Sequence, residues 1–160
     1  MMLENDFADW ETGEDAFPLD NAPLTGDSRT EARICAIQVV FQALVLQADV
    51  ADMVKEFSGL NKRKADRKLF KLLTDELALG LPRYTTMVQA ELREEWPWAR
   101  LQAVLRAILL VAAAEMTVNP SVGMPILANE YVNIGKGFLA ADEVAFVHKM
   151  LEILGKKVRG

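Results

Sequence analysis

An all-α fold of seven helices is what this 160-residue chain predicts. Apolar residues recur at three- and four-residue steps in segment after segment, the spacing that lines up one face of a helix. Residues that start and stop helices stand at the ends of those segments, and no convincing strand pattern interrupts them. With 51% of its residues apolar, the chain can close one core, or two small helical subdomains sharing an interface, but hardly two independent domains.

The first helix is expected to start at Ser28. Ser28-Arg29-Thr30-Glu31 has the form of a capping box, in which the serine hydroxyl accepts from an unpaired first-turn amide and the glutamate reaches back. Ala32, Cys35, Val39, Ala43 and Leu46 continue at helical spacing, widened by Ala36, Val40 and Leu44, so this helix should be largely buried. Asp49 is placed to cap a short second helix through Val50, Met53, Val54 and Phe57, ended by Gly59; Asn61-Lys62-Arg63-Lys64 then reads as a basic connector. A third helix runs from Asp66 through Leu69, Phe70, Leu73 and Leu77 to Gly80, with Pro82 marking the stop. Tyr84, Met87, Val88 and Leu92 give a fourth, broken before Pro97. In the fifth, Leu101, Val104, Leu105, Ile108, Leu109, Ala112 and Met116 make one stripe about four turns long. Pro125 sits where a first-turn proline belongs, because its missing amide would be unpaired there anyway, and the sixth helix follows through Ile126, Leu127, Tyr131 and Ile134. Asp142 is placed to cap the seventh, whose buried positions are Phe146, Val147, Met150, Leu151 and Leu154, with Gly155 as the stop.

The formal net charge of −5 is unevenly placed. Glu4, Asp6, Asp9, Glu11, Glu14, Asp15, Asp20 and Asp27 stand in residues 1–28 with no Lys or Arg among them, which leaves 18 bases against 15 acids in the rest. Residues 1–27 therefore read as an acidic, disordered tail ahead of a slightly basic domain at 28–160, since Gly13, Pro18, Pro23 and Gly26 interrupt them and no period is sustained. The tail is a solubiliser, or else Phe7, Trp10 and Phe17 dock it on a partner. No charged-then-apolar leader opens the chain, and the longest apolar run, Ala107 to Ala114, is far short of the roughly 20 residues of a membrane span. A soluble, cytoplasmic protein without membrane contact is expected.

Chemistry is hard to find. One cysteine, Cys35, and one histidine, His148, leave no Cys/His set for zinc, so no metal and no cofactor are expected. Gly135-Lys136-Gly137-Phe138-Leu139-Ala140 fits a dinucleotide-binding pattern on paper, but it lacks the strand–turn–helix setting and has Lys156 where an acid would follow. Glu94-Glu95 and Asp142-Glu143 are adjacent carboxylates that point about 100° apart on a helix, so neither pair shares a proton or a metal unaided; both suit helix ends. Cys35 falls on a buried stripe, where a thiol behaves as a small apolar group. Nothing in this argues for an enzyme.

In contrast, the ordered series Arg33-Ile34-Cys35-Ala36-Ile37-Gln38, Trp96-Pro97, Arg100-Leu101, Ala103 through Leu109, Glu115-Met116, Glu130-Tyr131-Val132, Lys136 and Phe146-Val147 resembles the NusB transcription antitermination factors, of the kind found in α-proteobacteria, over about residues 29–155. The resemblance implies seven helices in two packed subdomains. It also implies an assembly function rather than catalysis: binding of boxA RNA together with NusE, a small-subunit ribosomal protein, so that RNA polymerase passes terminators. The sequence departs from the family pattern in several places. Thr30 and Glu31 separate Arg29 from Arg33 where the family often carries a run of arginines; Leu110 replaces a second arginine, Ala114 an aromatic residue and Gln102 an acid; and Val147-His148-Lys149-Met150-Leu151 lacks the family's small Gly. A protein-only adaptor built on the same fold is therefore the rival reading.

The residues put forward for RNA are Arg29 and Arg33, by a helix N-terminus that together with cations holds phosphate, and Lys62, Arg63 and Lys64 in the most basic run of the chain, which continues through Arg67, Lys68 and Lys71. Asp142 and Phe146 match positions in the last-helix region that lies by the RNA in the family. Glu94 and Glu95 are assigned to the partner. Each has a plainer alternative: solvated arginines and lysines, a helix cap at Asp142, a core ring at Phe146.

Overall fold

The computed structural model describes residues 23–160, so the tail expectation for residues 1–22, with Phe7, Trp10 and Phe17, lies outside the described residues. Among the described residues there are seven α-helices and no strand: α1 (Ser28–Leu46), α2 (Val50–Glu56), α3 (Gly59–Arg63), α4 (Arg67–Gln89), α5 (Ala103–Val118), α6 (Met124–Lys136) and α7 (Ala141–Arg159), with one 3₁₀ turn at Trp98–Arg100. Helices α1 to α4 pack on one another on one side of α5, and α6 and α7 pack on each other and on α5 on the other. Among the described residues no single helix is long and apolar enough to cross a membrane.

The central stripe predicted for α5 is there, but α5 is buried on every side. Leu110, Val111, Ala113, Ala114 and Glu115 are as fully covered as Leu105, Ile108 and Leu109. Four neighbouring helices surround it, and a helix apolar all round is the one that takes such a place. The two departures at Leu110 and Ala114 thus face protein interior.

Several boundaries differ from those expected, each for a local reason. Helix α1 does begin at Ser28, but its cap is Asp27, whose Oδ1 accepts from the amides of Arg29 (3.0 Å) and Thr30 (3.1 Å). Ordered contacts therefore start before Ser28. The stop predicted at Gly80–Pro82 is a kink: Gly80 leaves the helical region (φ −120°, ψ 17°) and the chain resumes as helix to Gln89. A proline needs no amide partner, so the break just ahead of it lets the two halves join. The Tyr84 hydroxyl donates to Glu76 Oε2 (2.6 Å) across the break, and Arg83 donates to the same oxygen (2.5 Å). The third difference is at α7, which runs past Gly155 to Arg159. Gly155 is a close-approach residue: a Cβ there would lie 2.6 Å from Met124 Cε. Arg159 then donates to the carbonyls of Met116 (3.0 Å), Asn119 (3.1 Å) and Val122 (2.6 Å), which places a cation on the C-terminal end of α5.

Gly59 likewise does not end α2. That helix stops at Glu56, and Gly59 opens α3 because a Cβ would meet the Phe57 ring at 2.6 Å. The predicted connector at residues 61–64 is mostly this short helix, closed by Lys64 in the left-handed region (φ 55°). Seven helices are thus reached by two offsetting differences, a fusion at Gly80 and the added α3.

Candidate functional site

Two of the three arginines put forward for RNA, Arg33 and Arg63, turn inward. Arg33, in the second turn of α1, is 3% exposed. Its Nε and Nη2 each donate to one oxygen of Glu115 on α5 at 2.8 Å, and Nη1 donates to Glu130 on α6 at 2.9 Å. Around this fork the Tyr131 hydroxyl (2.6 Å) and the Asn119 amide (2.8 Å) also donate to Glu115, while the Thr30 hydroxyl donates to Glu130 (2.7 Å). A planar guanidinium satisfied by two carboxylates can be buried where a lone cation cannot. Arg63 is 7% exposed and donates through Nε to Glu31 (2.6 Å), whose other oxygen accepts from the Thr25 amide (2.6 Å). Glu31, expected to complete a capping box, is drawn into this pair instead. Arg33 and Arg63 are accordingly corrected from surface phosphate contacts to internal ties.

Burial alone would raise the carboxyl pKa of Glu115 and Glu31, yet the arginine hydrogen bonds and charge, together with the hydrogen bonds from Tyr131 and Asn119 to Glu115 and from Thr25 to Glu31, outweigh it and hold both below their ordinary value of 4.5. Burial would lower the Arg33 pKa, but its hydrogen bonds to and attraction by Glu115 raise it on balance, and burial next to the Glu115 charge raises the Tyr131 phenol well above its usual range. A carboxyl with a lowered folded-state pKa contributes stability that is fully present above its unfolded value and is lost as pH falls through the folded one. The melting temperature should therefore hold from neutral pH to about pH 5 and drop steeply below about pH 4. Circular dichroism melts across that range test this, and Glu115→Gln should flatten the acid limb. Cys35 is fully buried and its thiol is pushed up to about 12 by burial, as expected for a packing residue.

Arg29, Lys62 and Lys64 are exposed, and the fold brings them together. The Asp66 amide donates to the Ser28 carbonyl at 2.9 Å, which ties the start of α4 to the start of α1. Arg29 and Arg67 directly follow the two bonded residues, Lys64 lies two residues before Asp66, and Lys62 is one turn further back on α3. With exposed Lys68, these cations make a basic edge at the paired starts of α1 and α4, whose first-turn amides are already taken by the Asp27 and Asp66 carboxylates. Further along, Lys71 is neutralised by Asp75 (2.7 Å).

Asp142 and Phe146 belong to a second place. They line a cavity of about 360 Å³ with Glu95, Trp96, Arg93 and Lys149, and the Trp96 and Phe146 rings stack at 4.5 Å and 12°. Phe146 is half-buried rather than a core residue, so its stripe position reflects this stack. The N-cap position of α7 is Ala140 rather than Asp142, but Asp142 Oδ1 still accepts from the first-turn amide of Glu143 (3.0 Å), while Glu143 reaches back to accept from the Ala140 amide (2.9 Å) and from Gln102 Nε2 (2.8 Å). An acid at position 102 would repel Glu143, which accounts for that departure. Glu94 and Glu95 are exposed in the turn after α4, away from any helix end, and only Glu95 lines the cavity. Arg93 and Lys149 carried no signal beyond their charge, and sequence reasoning missed them. Gly135-Lys136-Gly137 is the end of α6 with no strand before it, which removes the dinucleotide reading.

The family model for the NusB family matches residues 30–152. The chain belongs to the NusB family. Transcription antitermination protein NusB of Brucella abortus (strain S19) is 32% identical, over 89% of this chain and 89% of that protein. The protein of the same name from Brucella anthropi is 31% identical, over 89% of this chain and 90% of its own length. The solved structure of T. maritima NusB superposes with a TM-score of 0.70 at 19% identity, covering 82% of this chain and 92% of that one, so the NusB fold is shared. The Arg33–Glu115–Glu130–Tyr131 network uses four of the residues by which the sequence resembled NusB proteins; part of that likeness is therefore structural.

Proposed function

We propose that this NusB-family protein acts in transcription antitermination as a non-catalytic factor of the cytoplasm, binding a boxA-type RNA segment together with the small-subunit ribosomal protein NusE and acting on the RNA polymerase elongation complex. The match to the NusB family over residues 30–152, with full-length relatives named transcription antitermination proteins, carries this reading. The basic edge of Arg29, Lys62, Lys64 and Arg67 supports it as a phosphate-tracking surface. The Trp96–Phe146 stack offers ring faces on which an unstacked base can lie, and Glu94 and Glu95 beside it offer carboxylates to a basic ribosomal protein.

A gel-shift titration with boxA RNA, with and without NusE, at several salt concentrations tests the proposal. Arg29→Ala and Lys64→Ala should each weaken binding about equally for all sequences and lower the salt slope by about 0.7 to 0.9. Phe146→Ala should weaken binding by about 1 to 3 kcal/mol without changing that slope. The burial of Arg33 and Arg63 favours a second reading, a protein-only adaptor on the NusB fold. Capture of NusE with no RNA shift at the lowest salt would establish that reading and end the first.

A further inference from the structure

Helices α6 and α7 leave a groove between them that no part of the proposed RNA surface uses. Its volume is about 840 Å³, larger than the 520 Å³ pocket beside Pro23 and Leu24. Pro125, Ala128, Val132 and Lys136 line it from one stripe of α6, and His148, Glu152, Gly155 and Arg159 line it from one stripe of α7. The floor is apolar at Ala128 and Val132, and Met124 packs onto Gly155 at its far end. Exposed Lys136 stands at one end, and exposed Lys156 with Arg159 at the other, against the single acid Glu152. Arg159 is held there by three backbone carbonyls. The pocket beside Pro23 suits an acidic ligand less, since its Arg63 is already paired with Glu31 and Glu56 also lines it.

We infer that this groove is the docking site of the chain's own acidic segment, residues 1–22. Three observations converge on that occupant. Charge is complementary: residues 1–22 hold seven acids and no Lys or Arg, opposite a groove with cations at both ends. Anchors are present: Leu3, Phe7 and Trp10 recur at the i, i+4, i+7 spacing by which apolar side chains enter a groove between helices. Reach is sufficient as well. Pro23 shares a small cavity with Asn133 and Gly137, so the segment leaves the described fold beside the C-terminal half of α6. From there 22 residues span up to about 70 Å when extended. Because the segment is tethered, its effective concentration at the groove is about millimolar, enough for a weak contact to be populated. Docking neutralises Lys136 and Lys156 and covers the apolar floor until salt or a competing acidic, aromatic segment displaces it.

The test uses the full chain carrying Thr12→Cys with a nitroxide on that thiol, Cys35 being buried and unreactive. At low ionic strength the amide signals of Ala128, Val132 and Gly155 should lose most of their intensity. They should regain it at about 1 M salt, where screening reaches within 3 Å. The double change Lys136→Glu and Lys156→Glu, both at exposed positions, should abolish the loss while leaving the melting temperature in place, and Trp10→Ala should reduce it. Attenuation that persists in the double variant, that centres on Lys62 to Lys68, or that is absent at low salt overturns the inference. So does attenuation that transfers to an unlabelled isotopic chain mixed with the nitroxide chain, which would assign the groove to a second copy.

Discussion

Replacing Arg33 by methionine should cost about 3 to 5 kcal/mol of folding stability, because it leaves the Glu115 carboxylate buried with no cation beside it. Glu115 is fully covered at the centre of α5, and Arg33 occupies both of its oxygens. The Tyr131 hydroxyl and the Asn119 amide would still donate, but two neutral donors do not replace a charge in a low-dielectric site. The loss should appear in urea melts at neutral pH as a shift of the midpoint with little change in slope. Adding Glu115→Gln to Arg33→Met should recover much of it, since the uncompensated charge is then gone. Had Arg33 been a surface phosphate contact, its loss would reduce RNA affinity and leave stability alone. A loss below about 1 kcal/mol would restore that view.

Leu105→Ala or Leu109→Ala should each cost about 2 to 5 kcal/mol, through the lost burial and the cavity left behind. Both side chains are fully covered at the junction of four helices, where neighbours pinned on all sides relax least into a void. A domain of ordinary stability has about 5 to 15 kcal/mol in total, so either change takes a large share or all of it. Ile126→Ala is the matched control. Ile126 is 63% exposed on α6, and its truncation should stay within about 0.5 kcal/mol. Chemical denaturation of the three variants decides the matter; equal losses at Leu105 and Ile126 would mean that α5 is not the centre of the core.

The two kinds of tie have a consequence for function. By spending Arg33 and Arg63 on Glu115, Glu130 and Glu31, the fold holds α1 against α5, α6 and α3 at the place where its N-terminus meets the start of α4. The exposed cations at that junction are therefore mounted on a rigid frame. Of the cations proposed for RNA, Arg29, Lys62, Lys64 and Arg67 are the ones left at the surface.

Local pattern was enough to determine that the chain is helical, where most helices lie, which apolar stripe is central, and which family the ordered residues belong to. Helical period, caps and prolines act within a few residues, so a single sequence displays them. Tertiary structure alone decided which charges are surface and which are interior. Arg33 meets Glu115 and Glu130 across separations of 82 and 97 residues, and Arg63 meets Glu31 across 32. No period links such positions, and an arginine on a helix face reads the same whether water or a buried carboxylate receives it. The same holds at Gly80, Gly155 and Gly59: each looks like a stop in one dimension, and whether the helix breaks, bends or passes a neighbour closely depends on what packs there. Burial and pairing are properties of the assembled core, whose partners are set by chain folding over distances that no sequence window spans.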